Sequence, residues 1–308
     1  MKSARRQAFF ARKQKSTKKE FSFIKLIIPI VVISLFFIFL KTGTKVWNGE
    51  DKVSLVYKKN SGDIGVTVLD PTLSEVTTLI IPGDTQVDIS RNYGTFLIKN
   101  VWQMGINEKI GGILMSETVT QNFLFPNFLW SYKSPGFEEG NIKSILNFVF
   151  LPGDTNISFC DRVRMGLFVM NVKELGNSTI NLAESKFLEK ERLSDGELGY
   201  VIVGKISERL TVYFSDNEMS EKNIKINITD ATGISGVSNK LGEILEVLGG
   251  KVVSVDKKNS AEESDCVVIG KNANVARKVA KLFSCKVENR ETSFDLDINI
   301  GSKFAERF

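Results

Sequence analysis

The chain has 308 residues, 42% hydrophobic and 25% charged, enough for about two domains and able to bury a core rather than remain disordered. It contains no histidine, which removes Ser-His-Asp and Cys-His nucleophile activation and every His-containing metal site. Its net charge of +5 is unevenly placed: residues 1–25 hold nine Lys or Arg against Glu20, and the remainder is net −3. A basic block confined beside an apolar run is a signal of membrane topology, not of nucleic-acid binding.

Residues 1–20 form that basic tail and are expected in the cytoplasm. From Phe21 to Leu40 the chain reads FSFIKLIIPIVVISLFFIFL, with Lys25 as its only charge. Twenty helical residues rise about 30 Å, the thickness of a bilayer hydrocarbon core. Lys25 can extend to the headgroups from the cytoplasmic end, and Pro29 falls in the first turns, where a missing donor costs least. The residues that follow, KTGTKVWNGE, offer no small-x-small cleavage site, so the segment reads as a transmembrane signal anchor. The positive block before it predicts a cytoplasmic N-terminus and extracytoplasmic C-terminal domains.

After a short linker, 41–52, the runs VSLVYKK (53–59), IGVTVLD (64–70) and EVTTLII (75–81) are rich in β-branched residues and separated by turn chemistry, so three successive strands are expected. Phe96, Leu97, Val101 and Met104 recur at helical spacing, as do Ile110, Ile113, Leu114 and Val119, with Gly105 as the break between two helices. Further helices are expected over 138–148 and over 162–175, where Leu167, Phe168, Val169 and Met170 suggest a helix buried on nearly all sides. Strands near 200–206 and 209–215 close a first α/β domain, 53–215. After a polar stretch at 216–223, a second unit at 224–308 alternates strands and helices: IKINITD, a helix bearing Ile234, Val237, Leu241, Ile244, Leu245 and Leu248, KVVSVD, DCVVIG, a helix over 273–284 and FDLDINIG. That alternation predicts a small α/β sandwich. The three cysteines, Cys160, Cys266 and Cys285, contain no CxxC and are odd in number, and they are read as buried free thiols, with a Cys266–Cys285 bridge as the alternative.

Two pentapeptides nearly repeat, IPGDT at 81–85 and LPGDT at 151–155. As turn chemistry they need no function; otherwise Asp84 and Thr85, or Asp154, face a ligand cleft, with Asp84 the candidate for a divalent cation. Gly233-Ile-Ser-Gly236 reads as a tight strand-to-helix turn, or as an anion site at a helix N-terminus. Asp161, Arg162 and Arg164 open a helix, where arginines suit either a phosphate or a solvated face.

The stretch SGDIGVTVLDPTLSEVTTLIIPGDTQV (61–87) resembles the LytR-CpsA-Psr family of bacterial envelope proteins, which have a basic tail, one transmembrane helix and an extracytoplasmic α/β domain. INITDATGISGVSNKLGEILEVLGGKVVSV, with DLDINIG, is similar to the LytR C-terminal domain. The resemblance implies a role in moving polyprenyl-pyrophosphate-linked glycans onto the cell wall, with arginines about the pyrophosphate, an acidic residue and Mg2+. The sequence departs from that pattern at Asn60-Ser61-Gly62-Asp63, where the family has Arg-x-Asp-Thr, and at Gly83, where it has arginine. The expected protein is therefore a diverged, non-catalytic envelope protein whose second domain binds a glycopolymer or an envelope protein partner. The alternative is an active glycopolymer phosphotransferase using Arg91, Arg162 and Arg164 as relocated cations. Nucleic acid is not an expected partner.

Overall fold

The computed structural model describes residues 43, 46–193, 196–204 and 206–308. The expected transmembrane anchor, from Phe21 to Leu40, lies outside the described residues. Among the described residues no helix is long and apolar enough to cross a membrane.

Strands β1 (Val53–Lys58), β2 (Ile64–Asp70) and β3 (Glu75–Ile81) form an antiparallel meander in the expected places. A hairpin of β4 (Gln86–Ile89) and β5 (Gly94–Leu97) follows, then helices α1 (Val101–Asn107) and α2 (Ile113–Phe123). Phe96 and Leu97 thus lie in a strand and not in the expected helix. Gly105 is inside α1, where an added Cβ would collide with the Gly111 carbonyl oxygen, so it is a close-approach point and not the break. Next come β6 (Leu129–Ser131), α3 (Ile142–Phe150), α4 (Phe159–Asn171), β7 (Asn177–Asn181), and a second hairpin of β8 (Leu188–Arg192) and β9 (Leu198–Ile202). Residues expected as a strand at 209–215 are instead α5 (Glu208–Thr211) and a 3-10 turn, because Leu210 and Phe214, four apart, both turn inward while Val212 stays exposed.

The first sheet has the order β6-β1-β2-β3-β7. Both its faces are covered, which explains why β2 is buried along its whole length. Val56, Ile64, Val66, Leu79 and Ile81 pack against Val101, Trp102, Leu114 and Val119 of α1 and α2. Leu55, Tyr57, Leu69 and Leu129 pack against Ile145, Phe148, Met165 and Val169 of α3 and α4. Against expectation, α4 is buried on one face only, since Leu167 and Met170 are 44% and 48% exposed.

The polar stretch after α5 holds α6 (Asn217–Glu221), whose Met219 is buried. The C-terminal unit then runs β10 (Lys225–Ala231), α7 (Val237–Val247), β11 (Lys251–Lys257), β12 (Cys266–Gly270), α8 (Ala273–Leu282), β13 (Lys286–Glu288), β14 (Leu296–Gly301) and α9 (Ser302–Arg307). Its sheet order is β11-β10-β14-β12-β13, with β10 parallel to both β11 and β14 and β12 antiparallel to β14. Ile226, Ile228, Val268, Ile298 and Ile300 form its core with Leu241, Leu245, Val275, Val279 and Phe304. Cys266 and Cys285 form a disulfide with their Cα atoms 4.8 Å apart, which corrects the reading of these two as free thiols; Cys160 is free and buried. The bridge was the alternative reading, and spacing alone could not favour it because it does not reveal that α8 returns the chain beside the first residue of β12.

Candidate functional site

The turn after β3 is the better defined of the two PGDT motifs. Gly83 N–H donates to Asp63 Oδ1 at 2.9 Å, and Ser61 Oγ donates to the other carboxylate oxygen at 2.7 Å. An aspartate therefore does stand beside this turn, contributed by the Asn60–Asp63 segment. A Cβ on Gly83 would lie 2.5 Å from the Gly62 carbonyl oxygen, so no arginine fits there on this backbone. Asp84 is half-buried; its main-chain oxygen accepts from Tyr200 N–H at 3.1 Å, and its carboxylate has no hydrogen bond or ion pair among the described residues. Thr85 is fully buried, with its hydroxyl unpartnered there. Lys99, which sequence reasoning passed over, donates its N–H to the Gly83 carbonyl, and its side chain is exposed.

The candidate arginines do not converge on this turn. Arg91 makes a bidentate pair with Glu117 at 2.7 and 2.8 Å, and that hydrogen bonding raises its pKa against the opposing effect of burial. Arg162 donates to the Val149 and Ile157 carbonyl oxygens at 3.2 and 2.6 Å, and burial pushes its pKa down. Arg164 donates to the carbonyl oxygens of Trp47 and Asn48 at 3.3 and 2.5 Å. Asp161 is fully buried and accepts from the N–H groups of Val46 and Trp47 and from Ser158 Oγ. Asp161 and Arg164 thus fasten the linker to α4, and Asp84 and Thr85 stand apart from all four. Magnesium bound through one carboxylate takes its remaining oxygens from water and substrate phosphates. Asp84 supplies the carboxylate, but the arginine forks that would hold the phosphates are committed elsewhere, so the donor set does not fit a lipid-pyrophosphate magnesium centre; among the described residues no cluster of three or more Cys, Asp or Glu could hold a metal.

The second motif builds a different feature. Gly153 turns the chain with φ +73°, Thr155 Oγ1 donates to the Trp130 carbonyl at 2.6 Å, and Tyr132 N–H donates to the Asp154 carbonyl at 2.9 Å, which fixes 153–155 along the end of β6. Here a cavity of about 190 Å³ is lined by Trp102, Trp130, Tyr132, Ile106, the backbone of Gly111 and Gly112, and Asp154 with Thr155. Trp102 meets Trp130 and Tyr132 edge-on, with centroids 6.1 and 5.9 Å apart. A Cβ on Gly112 would collide with both indoles, so the glycine pair is what lets the tryptophans close over the α1–α2 turn. The Lys58 ammonium stands 5.5 Å above the Tyr132 ring at the rim. Because β1 runs parallel to β6, with Tyr57 opposite Ser131, and antiparallel to β2, whose Ile64 pairs with Ile81, the cavity and the Asp84 turn share one end of the sheet. Aromatic side chains scattered over 102–132 carry no sequence period, so only the fold gathers them. Gly233 and Gly236, with φ +72° and +93°, form a tight turn into α7.

Residues 223–304 match the LytR_C family, described as LytR cell envelope-related transcriptional attenuator. The C-terminal unit is thus a LytR_C domain, where the sequence resemblance placed it. Among solved structures, the chain is similar to Bacillus subtilis TagT at 13% identity and TM-score 0.38, over 52% of this chain and 88% of that one. It is similar to the LytR-CPS2A-psr family protein YwtF (TagT) with bound octaprenyl pyrophosphate lipid at 14% and 0.37, over 52% and 87%. It is also similar to B. subtilis TagV at 11% and 0.37, over 51% and 92%. At these scores the likenesses carry no statement about activity. No curated protein matches the chain.

Proposed function

We propose that this is a membrane-anchored, extracytoplasmic envelope protein of the LytR-CpsA-Psr type that binds envelope glycopolymer without transferring it. The observation that carries the reading is the Trp102–Trp130–Tyr132 cavity beside Asp154, at a sheet end on which the candidate arginines do not converge, each being committed to internal partners. Aromatic walls receive the C–H face of a sugar ring, and a carboxylate at the rim accepts hydroxyl protons, the usual division of labour in a carbohydrate pocket. The Cys266–Cys285 bridge agrees with an oxidising, extracytoplasmic setting. The test is calorimetric titration of the full-length protein with an N-acetylglucosamine oligosaccharide. Wild type is expected to bind, and Trp130→Ala to weaken binding about tenfold, which is about 1.4 kcal/mol. Saccharide binding that Trp130→Ala leaves intact would remove the cavity from the reading.

The runner-up, a glycopolymer phosphotransferase, is favoured by one observation: Asp84 and Lys99 lie at the same turn with no partner for either side chain among the described residues. Magnesium-dependent binding of a polyprenyl pyrophosphate analogue, lost in Lys99→Gln, would put that reading first.

A further inference from the structure

The helix pair α3/α4 carries an apolar face that nothing among the described residues covers. On α3, Ile142, Leu146 and Phe150 repeat every four residues and are 58%, 46% and 62% exposed. On α4, Phe159 and Leu167 are eight apart with Met170 one turn further on, and all three are exposed. The two stripes meet where the Phe150 and Phe159 rings lie 6.0 Å apart. Beneath them Gly166 brings the helices together, since a Cβ there would lie 3.0 Å from Val149 and 3.2 Å from Ile145. This is one contiguous surface on a closely packed helix pair, where single exposed hydrophobic residues would need no explanation.

The occupant follows from where the chain enters the fold. Trp47 is buried against Phe168 of α4 at 5.6 Å, edge-on, and its N–H and carbonyl are held by Asp161 and Arg164. Gly43 already reaches α4, because a Cβ on it would lie 2.6 Å from Cys160 Sγ. Two residues, Lys41 and Thr42, separate Gly43 from Leu40, the end of the apolar run, and the three steps span at most about 11 Å. The helix bearing half of the apolar face is therefore fastened to the chain within about a nanometre of the point where the anchor leaves the bilayer. Of the basic residues on the two helices Lys143 is exposed while Arg162 and Arg164 are half-buried on main-chain carbonyls, and the one acid, Asp161, is buried, so the pair carries a net positive charge compatible with an anionic lipid surface.

We infer that α3 and α4 seat in the membrane interface, with Ile142, Leu146, Phe150, Phe159, Leu167 and Met170 against the acyl boundary. An amphipathic face of this kind enters about 5–10 Å at the headgroup level. This holds the domain in one orientation and keeps the glycan cavity at a fixed height. The inference rests on the membrane-anchored part of the proposed function and not on the saccharide site.

The test uses the full chain reconstituted into vesicles of phosphatidylcholine and phosphatidylglycerol, with an environment-sensitive fluorophore placed singly at Phe150→Cys, Leu167→Cys, Leu198→Cys or Val287→Cys. Brominated acyl chains are expected to quench the probes at 150 and 167 at least about threefold more than those at 198 and 287, given the shallow interfacial depth of such helices. Adding Ile142→Glu and Leu146→Glu is expected to bring the probe at 167 down to the control level. A protein that floats with the vesicles but shows equal quenching at all four sites would overturn the seating and leave the anchor standing. Failure to float would overturn both.

Discussion

Arg91 and Gly83 illustrate opposite ways in which a residue type misleads. Arg91 has the chemistry for a phosphate, yet Glu117 takes its Nε and Nη2 in one bidentate pair. Arg91→Gln is expected to cost about 1 kcal/mol in urea denaturation, typical of a half-exposed bidentate pair, and to leave saccharide affinity unchanged. Gly83 is the converse: the resemblance implies an arginine there, but the Gly62 carbonyl fills the space. Gly83→Arg is expected to destabilise by about 1–3 kcal/mol through overpacking and to confer no affinity for a polyprenyl pyrophosphate analogue. A stable, pyrophosphate-binding variant would mean the turn can open, and that the transferase reading should be revived. Asp161 looked like part of a ligand site because an acid beside arginines is common to both roles; only its 115-residue reach to Val46 identifies it as a fastening.

At the scale of elements, legibility followed local pattern. β1, β2 and β3 were readable because a sheet covered on both faces leaves long β-branched runs, and β10, α7 and α8 because one face of each is apolar at a regular period. β5 and β8 were not, since LEKER carries one buried residue and GTFL none, leaving no alternation to find, whereas the strand expected near 200–206 overlaps β9. The run RLTVYFS has strand composition but helical burial, and tertiary packing of Leu210 and Phe214 decided it. Among the site residues, Asp84 and Thr85 were legible as a motif, whereas the cavity tryptophans are assembled by α1 and β6 and cannot be read locally. The disulfide belongs to this scale too. It closes a loop of sequence separation 19 around α8, so its reduction is expected to cost the LytR_C domain about 3 kcal/mol by loop entropy. Thermal melts with and without reductant check this. An unchanged transition would show that the bridge is not what holds β12 and β13 together.

At the scale of the whole molecule, one lysine joins the two sheets' domains and the linker. Lys278, on α8 of the LytR_C domain, lies 3.0 Å from Asp51 in the linker and 2.8 Å from Asp216 before α6. Around it an apolar cavity of about 100 Å³ is walled by Trp47, Val53, Phe128, Phe214, Leu248 and Leu282, residues from the linker, the first domain and the second. Asn217 to Thr72 and Asn272 to Glu218 add hydrogen bonds of 2.8 and 2.6 Å across the same seam. Burial works against the charged lysine, but hydrogen bonds and charge from Asp216 and then Asp51 outweigh it, so its pKa stands above the ordinary 10.5. A group whose pKa is raised on folding contributes its full stabilisation below the unfolded value and loses it as pH rises through the folded value. The seam is therefore expected to hold undiminished through neutral pH and to weaken only above about pH 10.4, the unfolded lysine value. Lys278→Met is expected to cost about 1–3 kcal/mol at pH 8, because it leaves the largely buried Asp216 carboxylate without its cation. Urea denaturation of wild type and variant from pH 8 to 11 separates the two effects: the difference between them should shrink as the wild-type lysine deprotonates. A difference that stayed constant across that range would mean that Lys278 acts through the packing of its aliphatic stem, and that the domains are joined by the apolar wall alone.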